Sequence, residues 1–165
     1  MSRSLSYCVL VSAVVLWCAA LVGIPLAASS GLASARIGYD FFSNICHQEG
    51  ARSFHIAGHQ LGVCERCSAI YFGFLAGVLL SPFMRGLSAR SPRMIWGAAV
   101  APMLLDVAAD VAGIHASTTF LRLVSGGIFG IAAAIMLTPL IVEALSSATH
   151  LKPFTIGSPR YEPKT

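Results

Sequence analysis

Three of the five cysteines lie in two short motifs whose spacing suits metal binding or redox chemistry. The motifs are C-H-Q at 46–48 and C-E-R-C at 64–67. A C-x-x-C pair can supply two ligands to one metal ion, and it is also the spacing of a redox-active dithiol. Three thiolates and one imidazole would complete a tetrahedral zinc site, and thiolate-rich sites also suit copper(I). The motifs therefore predict a metal site, zinc before copper, with Cys46, Cys64 and Cys67 as ligands.

The fourth ligand has three candidates, which are His47, His55 and His59. His47 directly follows Cys46, and adjacent side chains rarely reach one ion together for steric reasons. His55 and His59 are four residues apart and would share one face if their segment were helical. All three histidines stay open as ligands.

The same cysteines support two other hypotheses. If a helix begins at the C-x-x-C, its positive dipole end and Arg66 lower the pKa of Cys64. Cys64 and Cys67 are then the catalytic candidates of a membrane thiol–disulfide oxidoreductase, which could exchange electrons with a quinone. In the other hypothesis, the protein is a structural subunit, and a single disulfide from Cys46 to Cys64 or Cys67 fixes the outer loop to a helix end. Three cysteines cannot all pair within one chain, which favours the metal site.

A second group of candidate residues lies inside apolar segments. Asp106 and Asp110 are one helical turn apart and share a face. A carboxylate at membrane depth costs at least about 2.5–3.5 kcal/mol, so it needs a partner. Arg122, at the start of the next apolar segment, is the expected counter-ion. Two interpretations are open. The group is a structural ion pair, or it lines a polar chamber in which a substrate, an ion or a proton reacts or is transported.

The composition indicates the class of protein to which these residues belong. Of 165 residues, 56% are apolar and 11% are charged, whereas soluble domains carry about 25% charged residues. The mean hydropathy is +0.75 and the net charge is +4. Disorder, collagen-like repeats and nucleic-acid binding through a basic patch are excluded. The composition predicts a membrane protein whose first partner is the lipid bilayer, and it is compatible with other membrane subunits or a homo-oligomer.

Four apolar segments predict an all-α integral membrane bundle of four transmembrane helices. The bundle forms one domain over residues 1–150, with helices at about 6–28, 65–84, 94–113 and 120–145. An outer loop over 29–64 carries the Cys/His motifs, and 151–165 is expected to be a flexible cytoplasmic tail. If the first segment is a cleaved signal peptide, three helices remain.

Positive charges predict the orientation of this bundle. With the N-terminus inside, seven Lys and Arg residues lie on the cytoplasmic side and four lie outside. The loop from Met84 to Arg93 holds three arginines and no acid. Both termini are therefore predicted to be cytoplasmic in a multi-pass protein of a bacterial-type inner membrane. The cysteine motifs then lie on the extracytoplasmic side, together with Asp106, Asp110 and Arg122.

Two glycine motifs are typical of closely packed membrane helices. Gly73-x-x-x-Gly77 lies in the second predicted helix, and Gly126-x-x-x-Gly130 lies in the fourth. Small residues at this spacing let helix backbones approach closely. We expect both motifs to serve in helix packing.

These motifs resemble those of the family called domain of unknown function 2085, small predicted membrane proteins of bacteria and archaea. The resemblance rests on C-H-Q at 46–48, R-S-F at 52–54, C-E-R-C at 64–67, I-Y-F-G at 70–73, residues 102–106 and 117–122, and the glycines at 126, 127 and 130. It covers roughly residues 44–137 and departs from the family pattern at Ala69, Val107 and Thr119. The resemblance implies a membrane architecture and candidate thiol residues without implying a reaction.

Overall fold

Helices make up most of the chain in this computed structural model, which describes residues 2–84, 92–114 and 117–148. The helices are α1 (Arg3–Ser29), α2 (Ser34–Ser43), α3 (Glu65–Leu80), α4 (Pro92–Val111) and α5 (Thr119–Ala148). Between α2 and α3 lie a 3₁₀ turn (Gly50–Arg52) and a hairpin of two antiparallel strands, β1 (His55–Ile56) and β2 (His59–Gln60). The prediction of a mainly helical protein is confirmed. The predicted tail at 151–165 lies outside the described residues.

Two helices are long and apolar enough to cross a membrane, judged by length and composition. They are Arg3–Ser29 and Thr119–Ser147, which correspond to α1 and α5. The 16 residues of α3 rise about 24 Å, less than the roughly 30 Å of a hydrocarbon core. The 20 residues of α4 rise about 30 Å. Four spans therefore stay a prediction, and two candidate spans are established.

The first helix has well-defined ends. The Ser2 hydroxyl accepts a hydrogen bond from the Leu5 N–H at 3.3 Å, which caps one of the free amides of the first turn. At the other end Gly31 adopts φ +69°, and the Leu32 N–H donates to the Ala27 carbonyl at 3.0 Å. This left-handed residue stops the helix and reverses the chain. As a result, α2 packs back against the end of α1.

Helices α3 and α5 form the most extensive helix pair of the described residues. A Cβ placed on Gly73 would lie 2.6 Å from the Gly127 carbonyl oxygen, and one on Gly77 would lie 2.6 Å from the Ala134 Cβ. Neither position therefore has room for a side chain. The expected role of the glycine motifs in helix packing is confirmed. The close approach also holds the first turns of α3 and α5 side by side.

The segment predicted as an outer loop, 29–64, contains regular structure. Within it, Gln48 has φ 49°, and its side-chain amide donates to the carbonyls of Tyr39 (2.8 Å) and Gly62 (2.9 Å). The Tyr39 hydroxyl donates to the Gln60 carbonyl at 2.6 Å. These bonds tie α2 and the first cysteine motif to the chain that leads into the second motif.

An apolar cluster lies beneath this segment and includes one predicted ligand. Its buried members are Leu21, Ile24, Phe42, Cys46 and Val63. They come from α1, α2 and the two chain segments that precede and follow the hairpin. The cluster therefore anchors the cysteine-bearing segments onto the helices.

Many large apolar side chains remain exposed on the helices. Those more than 60% exposed include Leu16, Leu104, Leu105, Val111, Phe120 and Leu140. Soluble proteins rarely expose so many large apolar groups. These helix faces are suited to contact with lipid.

Candidate functional site

Cys46, Cys64 and Cys67 converge at one end of the helix bundle. Their sulfur atoms all lie within 4.8 Å of one another. Cys46 follows the end of α2 and is buried, whereas Cys64 is the N-cap of α3 and Cys67 lies in its first turn. The fold therefore joins the two cysteine motifs into a single thiol cluster, a name used below for these three residues.

The spacing of the thiol cluster fits one tetrahedral metal ion. A Zn–S bond of about 2.3 Å places two thiolates about 3.8 Å apart, so gaps of up to 4.8 Å close with small side-chain rotations. All five cysteines are free thiols. Thiolate sulfur is the preferred ligand of copper(I) and a common ligand of zinc. The donor set is thus suited to either ion.

Hydrogen bonds favour the thiolate form of Cys64. Hydrogen bonding from the Cys67 thiol, supported by the backbone N–H groups of Cys67 and Arg66, lowers the pKa of Cys64 to about 5 despite its partial burial. The Cys64 N–H in turn donates to the Cys46 sulfur at 3.3 Å. Metal binding requires deprotonated thiols. At neutral pH, Cys64 is therefore already in the form that binds metal.

The three candidate histidines lie in two different places. His47 is exposed and lines the same cavity as the thiol cluster. His55 and His59 lie in the strands of the hairpin, so the helical face considered above does not form. They line a separate, more open cavity beside Tyr39 and Gln60. Among the described residues, the group of ligand atoms close enough for one ion contains the three sulfurs and no imidazole.

An ionic cluster of three arginines and three acids lies directly beside the thiols. Its ion pairs are Arg66–Asp106, Arg122–Glu65 and Arg52–Asp110. The residues come from the 3₁₀ turn, α3, α4 and α5. The cluster therefore links the 3₁₀ turn, α3, α4 and α5 at this end of the bundle.

The prediction that Arg122 is the counter-ion of Asp106 and Asp110 was wrong. Its Nη1 pairs with the Glu65 carboxylate at 3.3 Å, and neither Asp106 nor Asp110 is its direct partner. Glu65 lies in the first turn of α3, which packs closely on the first turn of α5. The Thr119 hydroxyl also donates to Glu65 at 3.1 Å. Packing of α3 on α5, rather than the order of charges along the chain, selects this pair.

The two aspartates of α4 bond to other partners. Asp106 accepts hydrogen bonds from Arg66 and from the Ser117 hydroxyl, the latter at 2.7 Å. Asp110 accepts from Arg52 at 3.0 Å and from the Ser117 N–H at 3.3 Å. Sequence reasoning did not assign these roles to Arg52, Arg66 or Ser117. The signal in the sequence was Arg66 itself, a charge within the C-x-x-C at the start of an apolar segment.

A cavity of about 250 Å³ opens beside both clusters. Its lining residues are Ile45, Cys46, His47, Gln48, Glu49, Arg52, Cys64, Arg66, Cys67 and Arg122. All three thiols and all three arginines of the ionic cluster thus border one space. A ligand in this cavity would contact sulfur and guanidinium groups together.

Long apolar helices, apolar faces exposed for lipid and one polar, thiol-bearing end define this molecule as a helical membrane protein. The chain belongs to the family of predicted membrane proteins called DUF2085, which it matches over residues 46–136. The resemblance drawn from the sequence motifs is thereby confirmed. The matched region begins at Cys46 and contains the complete thiol cluster and the complete ionic cluster.

Two archaeal relatives are similar to this chain. An uncharacterized protein of Methanocaldococcus jannaschii is 35% identical over 109 residues, which cover 65% of this chain and 70% of the relative. An uncharacterized protein of Methanothermobacter thermautotrophicus is 28% identical over 95 residues, which cover 58% of this chain and 86% of the relative. No solved structure matches the chain.

Proposed function

We propose that this membrane protein binds one metal ion, zinc before copper(I), through Cys46, Cys64 and Cys67. The observation that carries the proposal is the convergence of the three sulfurs within 4.8 Å of one another. Two separate motifs have to meet for this to occur, and the packed segment between them brings them together. Because Cys64 and Cys67 are half-buried beside a cavity, the ion is accessible from that cavity. Accessible coordination positions are typical of catalytic or exchanging sites.

His47 is our proposed fourth ligand. It is the one candidate histidine that lines the cavity shared by the thiol cluster. His55 and His59 line the other cavity, on the hairpin. A rotation of the exposed His47 side chain toward the cavity would complete a site of three sulfurs and one nitrogen.

We also propose that the thiol cluster is extracytoplasmic in a four-span protein of the cytoplasmic membrane. The end of α1 and the start of α3 lie at the thiol cluster, and the end of α4 and the start of α5 lie at the ionic cluster beside it. An up-and-down arrangement of four helices produces this alternation. Together with the excess of positive charge in the segments that the sequence predicts to be cytoplasmic, it supports cytoplasmic termini.

The test is metal analysis of the full-length protein, purified in detergent under reducing conditions. We expect equimolar zinc in the protein and its loss from the C46S, C64S and C67S variants. Cys8→Ser is the matched control, because Cys8 is an exposed thiol of α1 outside the thiol cluster. His47→Ala is expected to weaken zinc binding, and H55A and H59A are expected to leave it unchanged.

Two outcomes would contradict the metal site. The first is a metal-free protein whose Cys64 and Cys67 form a disulfide that is reversibly reduced, which would favour the thiol–disulfide oxidoreductase. The second is an inert disulfide from Cys46 to either of them, which would favour a structural staple. The Cys8→Ser control has to keep its metal, because loss there as well would show that the loss is not specific to the thiol cluster.

A further inference from the structure

The cavity beside the thiol cluster has more positive than negative side chains on its wall. Three arginines line it, against two anionic groups among the described residues, the Glu49 carboxylate and the Cys64 thiolate. The lining arginines are Arg52, Arg66 and Arg122. Three of their carboxylate partners, Glu65, Asp106 and Asp110, are not among the lining residues, whereas Glu49 lines the cavity and pairs with the Nε of Arg52 at 3.4 Å. The arginines therefore separate the buried carboxylates from the cavity.

These guanidinium groups retain unused hydrogen-bond donors. A guanidinium carries five N–H donors. Arg66 lines the cavity, and its Nε–H is buried without a partner in the described part of the chain. A buried, charged donor left unpaired is unfavourable. An acceptor supplied by a ligand would remove this cost once the Arg66 side chain turns its Nε–H toward the cavity.

Helix α3 begins at the cavity, and the first turn of α5 contributes the Arg122 side chain to its wall. Arg66 lies in the first turn of α3 and Arg122 lies in the first turn of α5. The N-terminal end of a helix carries a partial positive charge and favours anions. The helix ends and the guanidiniums thus favour the same kind of ligand.

We infer that this cavity binds an oxyanion of the phosphate type, either a free phosphate compound or the headgroup of an anionic phospholipid. Guanidiniums from three separate elements, the 3₁₀ turn, α3 and α5, surround the cavity. A tetrahedral group with several charged oxygens can bond to all of them, whereas a planar carboxylate is matched by a single guanidinium. The inference does not need a bound metal ion, although such an ion would lie on the same wall.

Isothermal titration calorimetry tests the inference. It measures the binding of inorganic phosphate to the full-length protein in detergent, and chloride at equal ionic strength is the reference. The test variant is Arg66→Gln combined with Asp106→Asn, which removes both charges of one ion pair and leaves no unpaired carboxylate. We expect phosphate affinity to fall about tenfold or more, the loss of one charge-assisted hydrogen bond. Arg36→Gln is the matched control, because Arg36 is exposed on α2 and does not line the cavity.

A second arm distinguishes the source of the oxyanion. It uses the protein in phosphatidylcholine nanodiscs with and without phosphatidic acid, and it measures thermal unfolding. Stabilisation by phosphatidic acid that is lost in the double variant, without binding of inorganic phosphate, identifies a lipid headgroup and supports the inference.

Two results overturn it. One is the absence of both phosphate binding and phosphatidic-acid stabilisation in protein that remains folded. That result would mean that the arginines only neutralise neighbouring thiolates and carboxylates. The other is an equal loss of binding in R36Q, which would indicate unspecific attraction to a basic protein. Both results leave metal binding by the thiol cluster untouched, because metal content is measured separately.

Discussion

The ion pair between Glu65 and Arg122 is expected to be a major stabilising contact of the bundle. The two side chains are 10% and 11% exposed, and their closest atoms are 3.3 Å apart. Removal of one member of a buried pair costs about 3–5 kcal/mol, because the other charge is left without a partner. The Thr119 hydroxyl still bonds to Glu65 when the arginine is replaced, so we expect the lower end, about 3 kcal/mol.

Changing both residues to glutamine removes both charges together. The E65Q/R122Q double variant keeps two polar side chains of similar reach in the same place. It is therefore expected to cost less than either single variant, which corresponds to a coupling free energy above about 3 kcal/mol. For a chain of this size, a loss of 3 kcal/mol lowers the melting temperature by roughly 6–12 °C.

Thermal unfolding in detergent measures this coupling. The fluorescence of the two tryptophans reports unfolding, because Trp17 packs against Phe42 and Tyr71 and Trp96 packs against Phe129. A second cycle, Asp106→Asn with Arg122→Gln, tests the pairing expected from the sequence alone. Its coupling should be smaller, because the direct partner of Asp106 is Arg66. Equal coupling in the two cycles, or a cost below about 1 kcal/mol for E65Q, would refute the assigned pairing.

Three further predictions concern packing, the outer segment and the reactive thiol. Gly77→Ala should destabilise by about 1–3 kcal/mol in thermal unfolding, because its Cβ would overlap α5. Gly97→Ala, where nothing lies within 4 Å, should be neutral or stabilise by up to about 1 kcal/mol; equal losses at both glycines would contradict this packing. Gln48→Leu should cost about 1–3 kcal/mol by the same assay, since it removes two hydrogen bonds to backbone carbonyls, and an unchanged melting temperature would argue against that role. In metal-free, reduced protein, alkylation of Cys64 followed by mass spectrometry should rise through about pH 5 and then level off, because its lowered pKa makes it a thiolate above that pH. A rate that still rises near pH 8.5, as for an ordinary cysteine, would contradict the lowered pKa.

The membrane class and the thiol residues could be predicted because they depend on local information. Apolar length and composition identify α1 and α5 directly. Cys64 and Cys67 are three residues apart at the start of an apolar segment, which places them at the N-cap and in the first turn of α3. The glycine motif at Gly73 and Gly77 likewise has a period that a helix must present on one face.

The outer segment was harder to predict because its order comes from contacts distant in sequence. The side-chain amide of Gln48 donates hydrogen bonds to the carbonyls of Tyr39 and Gly62, and no periodic pattern in the sequence predicts these bonds. The two-residue strands are too short to show an alternating pattern. The sequence order of charges likewise misled the choice of partner for Arg122, because the nearest acids along the chain lie on α4.

The sequence by itself determined that this is a helical membrane protein with a specific set of thiols and charges at one end. Its apolar segments and helix-period motifs carry that information locally, since helix hydrogen bonds and lipid contact depend on neighbouring residues. Only the tertiary structure decided that Cys46 meets Cys64 and Cys67, and that Glu65 rather than an aspartate meets Arg122. Both outcomes follow from packing: glycines let α3 and α5 approach closely, and the apolar cluster beneath the outer segment seats Cys46 against the start of α3.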